Sequence, residues 1–130
     1  MTELLHASVL TVKVTGRTNA YEFNVQISSP DTGCQQYTDW WEVLSEDGGL
    51  LYRRVLLHSH VGEQPFTRSG GPVSIDENTV VVVRAHMNNA GYGGEALRGS
   101  ASSGFQVVEL EPGFAAEVEA MEPLPQNCAF

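Results

Sequence analysis

The sequence predicts an all-β protein, an antiparallel sandwich of about seven strands. Three observations carry that expectation. Tyr21, Phe23, Val25 and Ile27 alternate with Glu22, Asn24 and Gln26, a period of two that suits a half-buried strand. Residues 79–87 form the most β-prone run of the chain, rich in valine. Turn residues recur at short spacing, and no amphipathic helix long enough to cross over between parallel strands lies among them.

In chain order, residues 8–15 read as the first strand and residues 16–19 as a turn. The alternating run 21–27 follows, then a loop at 29–33 rich in turn formers. Residues 37–44 and 50–58 read as a hairpin about Glu46-Asp47-Gly48-Gly49. Residues 60–71 look irregular, and 73–75 suit a short strand. After the 79–87 strand, residues 88–104 hold five Gly and three Ser and read as one long flexible loop. Residues 105–110 form the last strand. The expected organisation is a sandwich over 1–110 and an acidic extension over 111–130, packed on the domain or partly disordered. Residues 115–121 have room for one or two helical turns between Pro112 and Pro123.

A chain of 130 residues with 42% hydrophobic content buries enough surface for its own core. The formal net charge is −9, and every charged residue after Arg98 is a glutamate. A phosphate backbone or an anionic membrane is repelled by such a balance, so neither nucleic acid nor membrane is expected as a partner. The opening Met1-Thr2-Glu3-Leu4-Leu5-His6 has no basic region followed by a long apolar run, and it does not read as a leader. No stretch approaches the length of a membrane span. Cytoplasmic residence is the resulting expectation. On that ground Cys34 and Cys128 read as free thiols, with a bridge tying down the tail as the alternative.

The stretch Val81-Val82-Val83-Arg84-Ala85-His86-Met87-Asn88-Asn89-Ala90-Gly91-Tyr92-Gly93 resembles the penultimate strand and following loop of fibronectin type III domains. That resemblance implies an immunoglobulin-like sandwich, although Thr79 stands where the family carries a tyrosine. The stretch from His58 to Gly71 is similar to small bacterial proteins without an assigned function, and it implies no activity.

Two constellations have chemical potential. If Val81, Val83, Ala85 and Met87 face inward, then Val82, Arg84, His86 and Asn88 face outward. One of Trp40 and Trp41 faces out on the neighbouring strand. With Tyr92 from the following loop, Trp40, Trp41, Arg84, His86 and Asn88 are the candidate platform for a protein or small-molecule partner, since Trp, Tyr and Arg dominate binding hot spots. The second constellation is His58-Ser59-His60. Residues two apart on a strand share a face, and His86 and Glu63 would complete a zinc site with an open position for water. The pattern resembles the cupin metal motif, but only two residues separate His60 from Glu63 where that motif has three or four. The expected function is therefore a binding module without a cofactor. A small zinc enzyme using His58, His60, His86 and Glu63 is the first alternative. A structural subunit that self-associates into a homo-oligomer is the second.

Overall fold

A computed structural model describes residues 5–130; the reading of the first four residues as lacking a leader lies outside them. The chain folds as an all-β sandwich of two antiparallel sheets. Strands β1 (Ser8–Arg17), β2 (Ala20–Ser28) and β5 (Phe66–Val73) form the smaller sheet in the order β1-β2-β5. Strands β3 (Thr38–Ser45), β4 (Leu50–Val55), β6 (Val81–Met87), β7 (Ala96–Ser100) and β8 (Gly104–Val108) form the larger sheet in the order β4-β3-β6-β7-β8.

The alternation read in the sequence decides which side chains meet between the sheets. Phe23, Val25 and Ile27 of β2 pack against Trp41 and Val43 of β3 and Val81, Val83, Ala85 and Met87 of β6. Strand β6 is buried along its whole length. Its inner residues face the main core, while Val82 joins a second cluster on the outer face with Leu44, Ala96, Ala115 and Val118. The last two belong to the C-terminal segment, which crosses this outer face and carries a short 3-10 helix at Ala116–Ala120.

Two elements differ from the sequence expectation. Residues 60–71 are not irregular throughout, because β5 occupies Phe66–Val73 and pairs with β2, setting Ile27 opposite Phe66 and Tyr21 opposite Val73. Its Gly-Gly-Pro segment is tolerated because β5 pairs on one side only, where a missing N–H costs no ladder bond. A Cβ at Gly70 would come 2.7 Å from the hydroxyl of Tyr52, so the ring that covers Gly70 from β4 would have to shift. Residues 88–104 are likewise not one flexible loop. Met87 and Gly91 exchange both backbone hydrogen bonds, and β7 then pairs with β6 and β8. Arg98, the last basic residue of the sequence, pairs with Glu46 in the loop between β3 and β4.

Cys34 and Cys128 are bonded to each other, so the alternative of a bridge holds and the free-thiol expectation is corrected. The bridge spans 94 residues and fixes the end of the chain to the loop before β3. Around it the chain end pairs with the segment after β4: Ala129 donates to the carbonyl of Leu57, and Ser59 donates to that of Phe130. Closing so long a loop restricts the unfolded chain strongly. The Cys34→Ser/Cys128→Ser variant is expected to lose about 2–5 kcal/mol in denaturant unfolding. Unchanged stability would contradict a stapling role for the bridge.

Candidate functional site

The outer face of the larger sheet is built on one register. Glu42 of β3 lies directly opposite Arg53 of β4 on one side and Arg84 of β6 on the other. Its carboxylate is fully buried. Oε1 accepts from Arg53 at 2.7 and 2.9 Å, and Oε2 accepts from Nε of Arg84 at 2.8 Å. The remaining guanidinium donors turn away from the sheet to the C-terminal segment. Arg53 donates to the carbonyls of Val118, Met121 and Pro123, and Arg84 to those of Phe114 and Ala115.

An aromatic layer lies beside this network. Trp40 and His86 are opposite in register and their rings stack at 3.8 Å. Arg53 sits 4.0 Å above the Trp40 ring, and Arg84 sits 3.5 Å above that of Tyr92. Nδ1 of His86 lies 2.7 Å from Asp39 and Nε2 lies 2.6 Å from Glu119 of the short helix. Burial, and then the Glu42 carboxylate, push the Tyr92 hydroxyl above its ordinary range, so the phenol stays neutral.

The structure brings Trp40, Arg84, His86 and Tyr92 together, with Arg53, Glu42, Asp39 and Glu119, which the sequence reading did not single out. Trp41 points the other way, into the core between the sheets. Asn88 serves the backbone, accepting from the Tyr37 amide and donating to the Cys34 carbonyl. The assembled face is not bare sheet: the C-terminal segment lies on it.

What remains open is a cleft of about 670 Å³ beside that segment. The β7–β8 ladder ends at Ala96 opposite Val108, and the two strands then separate. Toward the N-terminus the chain is drawn to β1, where the Glu95 carbonyl accepts from Val9. Gly94 permits this approach, because a Cβ there would run into the carbonyl of Ala7. On the other side, residues 109–114 turn over the outer face. Tyr92, Arg84, Val107, Leu110, Phe114 and Glu119 are among the residues lining the gap.

The histidines of the zinc alternative are not gathered into one group. Strand β4 ends at Val55, so His58 and His60 do not sit on a strand and the two-residue rule has no hold there. Their rings nevertheless lie 4.6 Å apart, His58 stacked on Phe130 and His60 on Phe66. His86 is held by Asp39 and Glu119, and Glu63 pairs with Arg68 at 3.2 Å. Among the described residues no three His, Cys, Asp or Glu side chains are placed to hold a metal ion.

Two outcomes follow from these environments. Neutralising Glu42 leaves two buried guanidiniums without their shared anion. Glu42→Gln is expected to cost about 3–5 kcal/mol in chemical denaturation; a loss below about 1 kcal/mol, the range of an exposed pair, would contradict the shared-anion account. His60 is buried with neither ring nitrogen hydrogen-bonded, and burial, followed by Arg68 and His58, lowers its pKa. Its unfolded form takes a proton near pH ~6.5 while its folded form resists. The stability this represents is complete above that pH and is lost as pH falls below it. His60→Phe should flatten the decline of melting temperature between pH roughly 6.5 and 5; an unaltered slope would assign the decline to other groups.

No family model matches the chain. No solved structure matches it either. Over 85 residues, 65% of this chain, it is 44% identical to a protein of Halomicrobium mukohataei named "Putative lipoprotein". The chain spans 42% of that relative's length. The similarity is to a protein of an archaeon, whereas the sequence stretch from His58 to Gly71 suggested bacterial proteins. The relative's name overturns the expectation of cytoplasmic residence, which rested on the lack of a recognisable leader and carries no weight for a chain covering under half of its relative.

Proposed function

We propose that this chain is an immunoglobulin-like binding module of a protein that works outside the cytoplasm, and that its ligand occupies the cleft at the splayed end of β7 and β8. The order β1-β2-β5 facing β4-β3-β6-β7 supports the immunoglobulin-like reading, with β8 as an added edge strand. The Cys34–Cys128 bridge supports an oxidising compartment, where such bonds persist. The name of the Halomicrobium mukohataei relative agrees with this.

The cleft is the single observation that carries the binding function. Its volume falls in the range of small-ligand sites. One wall rests on Tyr92, clamped between Arg84, His86 and Trp40, and the other on a segment held by five carbonyl contacts from Arg53 and Arg84. Walls fixed in advance leave less ordering to be done on binding. Trp40 and His86 act here as support behind the wall, and Tyr92 and Arg84 as the wall itself.

Protein-observed NMR against a fragment collection of mixed charge tests the reading. Saturable hits should perturb the amides of residues 91–95 and 107–114 together. Hits that gather instead around Leu57, Val61 and Phe130, the exposed apolar residues at the other end of the tail, would move the site there and refute the cleft.

A further inference from the structure

Strand β6 has a break in its hydrogen bonding where it borders the cleft. Met87 exchanges both backbone bonds with Gly91, and Val83 is paired with Leu97 of β7. Along a strand, alternate residues direct their N–H and C=O to opposite neighbours. The Asn88 amide, one residue beyond Met87, donates to Tyr37 on the β3 side, as this alternation requires. Ala85, midway between Val83 and Met87, therefore turns its N–H and C=O to the β7 side.

On that side it meets no partner. A regular continuation of the Val83–Leu97 pairing would set Ala85 opposite Glu95. Glu95 is turned to β1 instead: its carbonyl accepts from Val9 at 2.9 Å, and its amide donates to Oγ of Ser8 at 3.0 Å. The chain takes six residues from Gly91 to Leu97 to cover the four from Met87 back to Val83, and the surplus lets it bow away toward β1. Among the described residues nothing bonds the N–H or C=O of Ala85, although the residue is 3% exposed and lines the cleft. Backbone groups buried to this degree are almost always paired, and an unpaired one costs about as much as a lost hydrogen bond.

We propose, resting on the cleft reading above, that the ligand is a short peptide, one residue of which pairs with Ala85 as an antiparallel strand residue would. The ligand's N–H donates to the Ala85 carbonyl, and its C=O accepts from the Ala85 amide, the two groups flanking one Cα of the ligand. A lone carboxylate or ammonium group cannot supply both at that spacing. The pairs Met87–Gly91 and Val83–Leu97 close the edge on either side, so only one residue of the ligand can join the ladder. Val107, Leu110 and Phe114 line the same cleft and favour an apolar side chain on that residue.

N-acetyl-leucine N-methylamide carries one such residue and no more. Its ester counterpart, with oxygen in place of the leucine N–H, keeps the shape and loses the donor. Each is titrated into the full chain and followed at backbone amides and carbonyl carbons. The amide should bind about tenfold more tightly, the worth of a hydrogen bond whose acceptor is otherwise left buried. It should move the Ala85 amide proton and carbonyl carbon downfield, together with the amides of residues 91–95 and 107–114. The ester should leave the Ala85 carbonyl carbon in place. Equal binding of the two probes in the cleft would overturn the peptide assignment and leave the cleft as a binding site. An Ala85 unmoved by the amide at about 10 mM would also overturn it, and the fragment hits then decide on the cleft alone. So would an Ala85 amide proton that, without ligand, has the small temperature coefficient of the bonded Met87 amide, because the chain would then satisfy Ala85 itself.

Discussion

The outer half of this molecule depends on one carboxylate. Glu42 is shared by Arg53 and Arg84 from the strands on either side, in a row fixed by β-sheet register. A lone glutamate in such a place would be costly, and so would either arginine. Together they leave one positive charge in excess and a set of guanidinium N–H groups that must find acceptors. Those acceptors are the backbone carbonyls of the C-terminal segment. A segment with little regular structure, whose carbonyls have few partners of their own, therefore fits over a sheet face that would otherwise stand in water. The ion triad is better understood as a device that specifies where the tail goes than as a source of net stability, since burying charges offsets most of what their pairing gains.

From that placement the functional surface follows. The tail covers Trp40 and His86, so the aromatic face is not the open platform that its composition suggests. The tail also supplies one wall of the cleft, and its glutamates stand along the rim. The disulfide holds the far end of the same segment and the Arg53–Glu42–Arg84 row holds its middle.

Much of the frame was legible in the sequence, and the failures have physical causes. The alternation at 21–27 and the valine run before Met87 gave β2 and β6 with the right faces inward, because each packs one side on a shared core. Strand β5 escaped notice because Gly70, Gly71 and Pro72 make residues 60–71 look irregular; in this edge strand Gly70 serves the close approach of Tyr52 rather than a reversal of the chain. Strand β7 was hidden by Gly99 within it and by the glycines on either side, at 91, 93, 94 and 104. Trp40 and Arg84 were legible as outward-facing residues, but their partners were not. Glu42 and Arg53 are charged residues on strands, which sequence reasoning assigns to solvent, and only register makes them a buried row. The His58-Ser59-His60 pattern, the basis of the zinc alternative, lies past the end of β4, where alternation has no meaning.

The claim that the C-terminal segment is an integral wall of the domain is tested most directly by native-state hydrogen exchange. Val118 and Met121 amides are bonded within the segment, and the Ala129 amide is bonded to Leu57. The account expects these amides to exchange as slowly as those of β3 and β6, through the same global opening. Exchange at Val118, Met121 and Ala129 within seconds, while β3 and β6 stay protected, would mean that the tail detaches on its own and that the arginine row does not hold it.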